Sequence, residues 1–515
     1  MRIGIDVGGT NTDAVLMDGQ TVVSWHKTPT TADVSGGIEA VLGAVMADAE
    51  VSPDQITAVM IGTTHFTNAV VERERLLEVA VLRLGLPATT ALMPFADWPA
   101  DLKARLGGHT YLLHGGVELD GRPISPLDPD EIRKAAADIK SKGLKTAAVT
   151  SVFSPVDPGM EDEVAAILRA EVPGLHVTLS REIGRIGFIE RENATIMNAC
   201  LVELAARVVR SFENALKALD IKAPFFISQN DGTLMDADYV ARYPVLTFAS
   251  GPTNSMRGAA FLSGVKEAMV VDIGGTTSDV GMLRQGFPRE SSVAVDIGGV
   301  RTNFRMPDVL AIGLGGGSRV RDDGARVGPD SVGFALTEDA LVFGGETLTT
   351  TDIIVAKGSA DIGDPAKVAQ LDPDLVTRTI GTWHQMVDTA VDRMKTSAEA
   401  LPVILVGGGA VLITEALPAA SEVIHPPHAT VANAIGAAIA QVGGVTDRVF
   451  SLEGLSRDDA LAMAKDEATR KAVEAGADPQ SIEIVDIEEV PLAYLPSSAT
   501  RIRVKAVGDL TISGA

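Results

Sequence analysis

The chain has 515 residues, 46% hydrophobic and 22% charged, which suffices for roughly two to four ordinary packed cores. Its formal charge of −24 repels phosphate backbones and anionic lipid surfaces, and so argues against nucleic-acid and membrane-surface binding. The single cysteine, Cys200, excludes an internal disulfide framework and any cysteine-ligated iron-sulfur cluster built from one copy.

The first residues run directly into a strand, with no basic leader or long apolar core, so the expected compartment is the cytoplasm. Residues 2–7 and 13–17 are short apolar runs flanking Gly8-Gly9-Thr10-Asn11, which predicts a β-hairpin with a glycine-rich turn. Ile38, Val41, Leu42, Val45 and Met46 fall at helical spacing. Asp128-Pro129-Asp130-Glu131 supplies a helix N-cap, a first-turn proline and a capping-box glutamate, with Gly143 past the far end. Val149–Phe153 and Leu175–Leu179 read as strands, and 188–220 as one long helix or a broken pair.

A second hairpin follows about half a chain downstream. Residues 268–273, then Gly274-Gly275-Thr276-Thr277-Ser278, then 279–283 repeat the order strand, acidic residue, Gly-Gly-Thr turn, Asp, strand. The repeat predicts a duplicated domain with a shared cleft. Val403–Val406 is a β-branched run ending at Gly407-Gly408-Gly409, and Val431–Val442 reads as a small-residue helix, too short for a bilayer. Beyond Gly443-Gly444 the tail reads as a charged amphipathic helix over 456–475 followed by strands at 483–487 and 501–506.

A hairpin tipped by Gly-Gly-Thr brings backbone N–H groups within reach of phosphate oxygens, because glycine accepts the φ values that aim successive amides inward. Two such hairpins, each with Asp before the turn and Asp after it, form a paired phosphate site. Asp6 and Asp272 then face each other across the cleft, placed to hold magnesium through its water shell. No Gly-x-x-x-x-Gly-Lys-Ser/Thr sequence is present, so the phosphate site is not a P-loop.

Residues 3–19 (IGIDVGGTNTDAVLMDG), 270–283 (VVDIGGTTSDVGML), 405–410 (LVGGGA) and 432–440 (ANAIGAAIA) resemble the phosphate-1, phosphate-2, adenosine and second connecting motifs of the actin, sugar-kinase and heat-shock ATPase superfamily. More narrowly, residues 61–72, 180–200, 249–258 and 311–333 are similar to the ATP-binding subunit of the hydantoinase/oxoprolinase family. The stretch 334–341 (FALTEDAL) departs from that family's glycine- and proline-rich segment, and the chain is shorter than the larger members.

The resemblance implies an α/β fold of duplicated actin-like (ribonuclease H-like) ATPase domains around a nucleotide cleft, with a small C-terminal α+β appendage. The implied divisions are an N-terminal lobe over 1–185, a second ATPase lobe over 186–444 and an α+β unit over 445–515. It also implies ATP and Mg²⁺ as cofactors and ATP-dependent opening of a cyclic amide, whose carbonyl oxygen becomes a leaving group once phosphorylated. Gly8, Gly9, Thr10 and Asn11 then cradle phosphates together with Gly274, Gly275, Thr276 and Thr277. Asp6 and Asp272 hold the metal, and Asp13 and Asp279, with Asp272, are the catalytic candidates.

Gly407, Gly408 and Gly409 are expected beside the adenine ring. Gly315, Gly316 and Gly317 either border the nucleotide or form a mobile loop. His65 is a candidate for substrate or metal and also reads as a satisfied loop histidine. Glu190, Glu192 and Asn193 lie at helical spacing and read as a solvated helix face ahead of the lining of a cleft, and His425 and His428, flanking Pro426-Pro427, as a rigid turn. The expected partners are a small cyclic amide and a hydantoinase B-like second subunit, or further copies of the chain in a homo-oligomer, with no nucleic acid and no membrane. Rival readings are a small-molecule kinase and a nucleotide-driven partner, such as the activator subunit of an ATP-dependent ketone carboxylase.

Overall fold

The computed structural model describes residues 1–8, 11–30, 34–184, 187–291, 295–304, 306–492 and 499–511. Gly9 and Thr10 lie outside the described residues. Among the described residues no helix is long and apolar enough to cross a membrane.

The first hairpin, Arg2–Val7 with Asn11–Asp18, lies inside a nine-stranded mixed sheet rather than forming an isolated ribbon. Thr21–Pro29 pairs on its outer side, and Ala58–Thr63 runs parallel to Arg2–Val7 on the other. Every residue from Ile3 to Val7 is buried, as expected of a central strand covered on both faces. Helices cover those faces. Val34–Asp48 buries Ile38, Val41, Leu42 and Val45 in the same core as the long helix Phe188–Ala218.

That long helix is unbroken, and of Glu190, Glu192 and Asn193 the last two are buried rather than solvated. Glu192 makes a buried ion pair with Arg83, while Asn193 accepts from Trp98 Nε1 at 2.7 Å and donates to the Arg301 carbonyl at 2.9 Å. Only Glu190 faces outward, beside Arg301. A second, all-parallel sheet, in the order His109–His114, Val79–Leu86, Thr146–Ser151, His176–Leu179, stands on this lobe. The helix Pro129–Ser141 packs there with Asp128 as its N-cap, but the Glu131 carboxylate binds His114 instead of closing a capping box.

The other lobe is built on the second hairpin, Ala268–Ile273 with Ser278–Arg284. Leu401–Val406 runs parallel to Ala268–Ile273, as Ala58–Thr63 does in the first lobe, and Val309–Ile312 pairs outside Ser278–Arg284. The duplication therefore extends from the hairpin to a third strand in each lobe. Helix Pro373–Met394 buries Trp383 and Val387 against this sheet.

Two parts of the chain depart from the expected divisions. Residues from 187 through the strands Phe225–Ser228 and Thr233–Asp236 belong to the first sheet, because Phe225–Ser228 pairs with Ala58–Thr63. The tail also joins that sheet. Gln441–Phe450 pairs with Thr233–Asp236 and with Thr500–Gly508, and Glu483–Pro491 forms the edge. The small-residue helix ends at Ala438, short of 442, because Gln441 onward is drawn into the sheet.

Gly444 is accordingly no boundary. It lies mid-strand, where a Cβ would overlap the backbone of helix Arg457–Glu474 at Ala468 and Ala472. Ala460, Ala464, Ala468 and Ala472, at successive four-residue spacings and all fully buried, make the face that approaches it.

Candidate active site

The two hairpins carry the same carboxylate pair in the same register. Asp6 lies opposite Asp13 across the first hairpin, and Asp272 lies opposite Asp279 across the second. The turns close alike. Gly8 N donates to Asn11 O at 3.0 Å, and Gly274 N donates to Thr277 O at 2.9 Å.

These four carboxylates form one electrostatic group spanning both lobes. Asp6 is pushed up to about 6, first by burial and then by Asp13, with Asp272 adding to the rise. Asp13 is raised by burial, an effect opposed by Lys27 and reinforced by Asp272. Burial raises Asp272, while the Ser255 hydroxyl beside it favours its charged form. Asp279 is pushed up to about 7 by burial and by Asp272. Asp272 thus lies near enough to Asp6 and Asp13 to raise both.

A glycine makes room for the leading carboxylate in each lobe. Gly62, opposite Asp6 on Ala58–Thr63, would put a Cβ 2.8 Å from Asp6 Oδ1 and 2.6 Å from Asn254 Nδ2. Gly407, following the strand Leu401–Val406 with φ of +84°, would overlap Asp272 Oδ1. Gly408 is exposed with open space around it, and Gly409 N donates to the Ile273 carbonyl at 2.7 Å, fastening this turn to the second hairpin.

The tip Gly275, Thr276 and Thr277 is exposed, and Asn11 is partly so. Gly315, Gly316 and Gly317 pack behind the second tip. Gly316 N donates to Gly274 O at 3.0 Å and Gly317 N to Gly275 O at 2.7 Å, while the Thr350 and Thr351 hydroxyls hold the Gly316 carbonyl. This loop is a brace fastened to the tip through the Gly274 and Gly275 carbonyls. His65 Nδ1 lies 2.6 Å from Thr63 Oγ1, and burial pushes its pKa down to about 4, so the ring is neutral. His428 takes a left-handed conformation, φ 59°, at the start of the turn Ala429–Val431.

Four further residues complete the cleft. Asn433 Nδ2 donates to Asp6 Oδ2 at 3.2 Å, and Lys27 Nζ donates to Asp13 Oδ2 at 3.0 Å. Asn254 and Ser255, successive residues of the helix Ser250–Ser263, reach toward Asp6 and Asp272 respectively. Asn254 and Asn433 sit in the segments 249–258 and 432–440 that stand out by resemblance. Lys27 has no motif to mark it, since its place depends on the pairing of the third strand.

The donor set suits a hydrated divalent cation. Among the described residues no three His, Cys, Asp or Glu side chains converge to ligate a metal directly. Asp6 Oδ1, Asp13 Oδ1 and both polar side-chain atoms of Asn254 are buried with no protein partner. Such orphaned oxygens match magnesium, which keeps much of its water shell when held by one or two carboxylates.

The chain matches the family described as hydantoinase/oxoprolinase N-terminal region over residues 2–172, and the hydantoinase/oxoprolinase family proper over 191–380. It is 27% identical over 395 residues to caprolactamase subunit alpha of Pseudomonas jessenii, covering 69% of this chain and 54% of that one. It is also 27% identical over 401 residues to the acetophenone carboxylase gamma subunit of Aromatoleum aromaticum, covering 69% and 53%. The chain thus spans about half the length of these curated relatives. The crystal structure of the ATP-dependent caprolactamase from Pseudomonas jessenii superposes with a TM-score of 0.79 at 20% identity, over 99% of this chain and 88% of that one. With two adjoining family regions, a shared fold and register-matched hairpins, this chain is a member of the hydantoinase/oxoprolinase family and has a mixed α/β fold.

Proposed function

We propose that this chain is the ATP-binding component of an enzyme that opens a cyclic amide, such as a hydantoin, oxoproline or lactam, by phosphorylating its carbonyl oxygen. The observation that supports the reading is that the Asp6–Asp13 and Asp272–Asp279 pairs keep the same register on two hairpins, with Asp272 near enough to raise Asp6. By sequence, the segment Gly8-Gly9-Thr10-Asn11 of the first hairpin and Gly274, Gly275, Thr276 and Thr277 of the second would offer backbone amides and hydroxyls to the phosphates. Gly408, exposed with open space around it, leaves room for the nucleoside, while Gly407 and Gly409 pack against Asp272 and Ile273. Gly315 and Gly316 act from behind, holding the second tip in place.

Asp6 and Asp272 would hold hydrated magnesium. When bound, the metal neutralises charge on the β- and γ-phosphate oxygens. Transfer of the γ-phosphoryl to the amide oxygen converts that oxygen into a leaving group. Water then adds to the carbon, a proton passes to nitrogen and the carbon–nitrogen bond breaks to leave an acyl phosphate, which a second water hydrolyses to the carboxylate and free phosphate. Asp279, held near 7, is matched to accept the water's proton at neutral pH, and Asp13 is the second candidate for orienting it.

A second reading is supported by the equal identity to a carboxylase subunit: the same cleft would activate a ketone for carboxylation. Both relatives are named as subunits, which supports a separately encoded partner here. The charge of −24 and the lack of a membrane-crossing helix among the described residues support a cytoplasmic setting. The test is phosphate release from ATP and magnesium with a panel of cyclic amides and ketones, with and without the neighbouring gene product. Ring opening in step with free phosphate is expected. A stable phosphorylated product would instead identify a kinase, and bicarbonate-dependent phosphate release with a ketone would identify the carboxylase reading.

A further inference from the structure

We propose that Lys27 is the protein's own cation for the γ-phosphate, exchanging its contact with Asp13 for the terminal phosphate when ATP enters. This rests on the nucleotide-cleft reading above and adds to it a residue that no motif marks. Asp6, Asp13 and Lys27 form one row across three neighbouring strands, Asp6 opposite Asp13 and Asp13 opposite Lys27. The strand bearing Lys27 leads into Thr30, whose hydroxyl donates to the Gly8 carbonyl at 2.8 Å, so its end is fastened to the first phosphate turn.

Charge balance calls for such a residue. A polyphosphate entering this cleft meets Asp6, Asp13, Asp272 and Asp279, and one hydrated divalent cation does not offset four carboxylates and a nucleotide together. Lys27 Nζ donates to Asp13 Oδ2 at 3.0 Å, and its charge favours the ionised forms of Asp6, Asp13 and Asp272. Its side chain is 36% exposed where that of Asp13 is 11% exposed, leaving the ammonium on the open side of the pair. The flexible four-carbon stem lets Nζ move between a carboxylate and a phosphate without moving the backbone.

The test is titration calorimetry of the full chain with MgADP and with the magnesium complex of a non-hydrolysable ATP analogue, for wild type, Lys27→Met and Lys27→Arg. Lys27→Met is expected to weaken the analogue on the order of 30-fold, the loss seen when a charge pair is truncated in a desolvated site, while MgADP stays within about threefold. Lys27→Arg is expected to recover most of the difference. A purely structural role, offsetting Asp13, would lower the melting temperature without changing the ratio of the two affinities.

Two results overturn the proposal and differ in what else they overturn. If wild type binds both nucleotides and Lys27→Met keeps their ratio, Lys27 does not meet the γ-phosphate and the cleft stands. If wild type binds neither, the cleft reading and the assignment of Lys27 both fall. Lys27→Gln, closer in polarity, gives the same readout in place of a poorly folding methionine variant.

Discussion

Gly62 and Gly407 owe their places to the carboxylates beside them. Each follows or ends a strand parallel to its hairpin, and each leaves the volume that Asp6 or Asp272 occupies. Gly407→Ala combines a left-handed backbone with overlap on Asp272, so it is expected to cost about 2 kcal/mol or more in chemical denaturation and to impair nucleotide binding. Asp6→Ala and Asp272→Ala are expected to abolish magnesium-dependent nucleotide binding while circular dichroism stays native. Unchanged ATP affinity in both would refute the assigned cleft.

The raised carboxylates also set a pH dependence. A carboxyl whose folded pKa lies above its unfolded value binds more protons in the native state, so its contribution to stability is lost as pH rises. For Asp279 that window runs from 3.8 to about 7. Asp279→Asn is therefore expected to raise the melting temperature of the nucleotide-free protein at pH 8 and to leave it nearly unchanged at pH 4. Magnesium binding favours the ionised carboxylates, so the thermal shift produced by magnesium-nucleotide in wild type is expected to grow between pH 5 and pH 8.

At the scale of elements, the lobes meet through two crossed helices, Ser250–Ser263 and Ala432–Ala438. The crossing is reciprocal. A Cβ on Gly258 would overlap the Ala432 carbonyl, and a Cβ on Gly436 would overlap the Asn254 carbonyl. Because Asn254, Ser255 and Asn433 all extend from this crossing to Asp6 and Asp272, a change there reaches both carboxylates. Gly436→Val is expected to destabilise by about 1–3 kcal/mol through overpacking, and to weaken nucleotide binding although no ligand atom is touched, as read by denaturation and calorimetry together. The long helix carries a different kind of constraint. Glu192→Ala leaves the Arg83 guanidinium buried and unpaired, with an expected cost of about 3–5 kcal/mol in the same denaturation assay.

Across the whole molecule, chain segments cross between lobes more than once. The hairpin Val295–Ile297 with Val300–Thr302 departs from the second lobe, yet Ile297, Val300 and Phe304 are buried in the core of the first, where Phe304 meets Phe248 edge to face at 5.4 Å. Arg503, on the tail strand Thr500–Gly508, donates to both oxygens of Glu290 at 2.8 Å, tying the first sheet to the root of this hairpin. Glu290→Ala is expected to raise amide exchange in 295–302 and along Thr500–Gly508 together, since both ends of the tie are released. Exchange changing at one end alone would show that the tie does not couple the lobes.

Local patterns declare the elements themselves. Alternating apolar runs around Gly-Gly-Thr turns give both hairpins, Asp128-Pro129 starts a helix where expected, and the repeated acidic positions locate Asp6, Asp13, Asp272 and Asp279, because short-range propensity and turn chemistry act within a few residues. What no local pattern holds is pairing between distant strands. The return of 441–508 to the first sheet, the burial of 295–302 in the opposite core, the meeting of Lys27 with Asp13 and the placing of Glu192 against Arg83 were decided by tertiary structure. Each depends on contacts between residues far apart in the chain, or on a register that only neighbouring strands determine, and the same segment viewed alone satisfies a helix, a linker or a solvated face equally well.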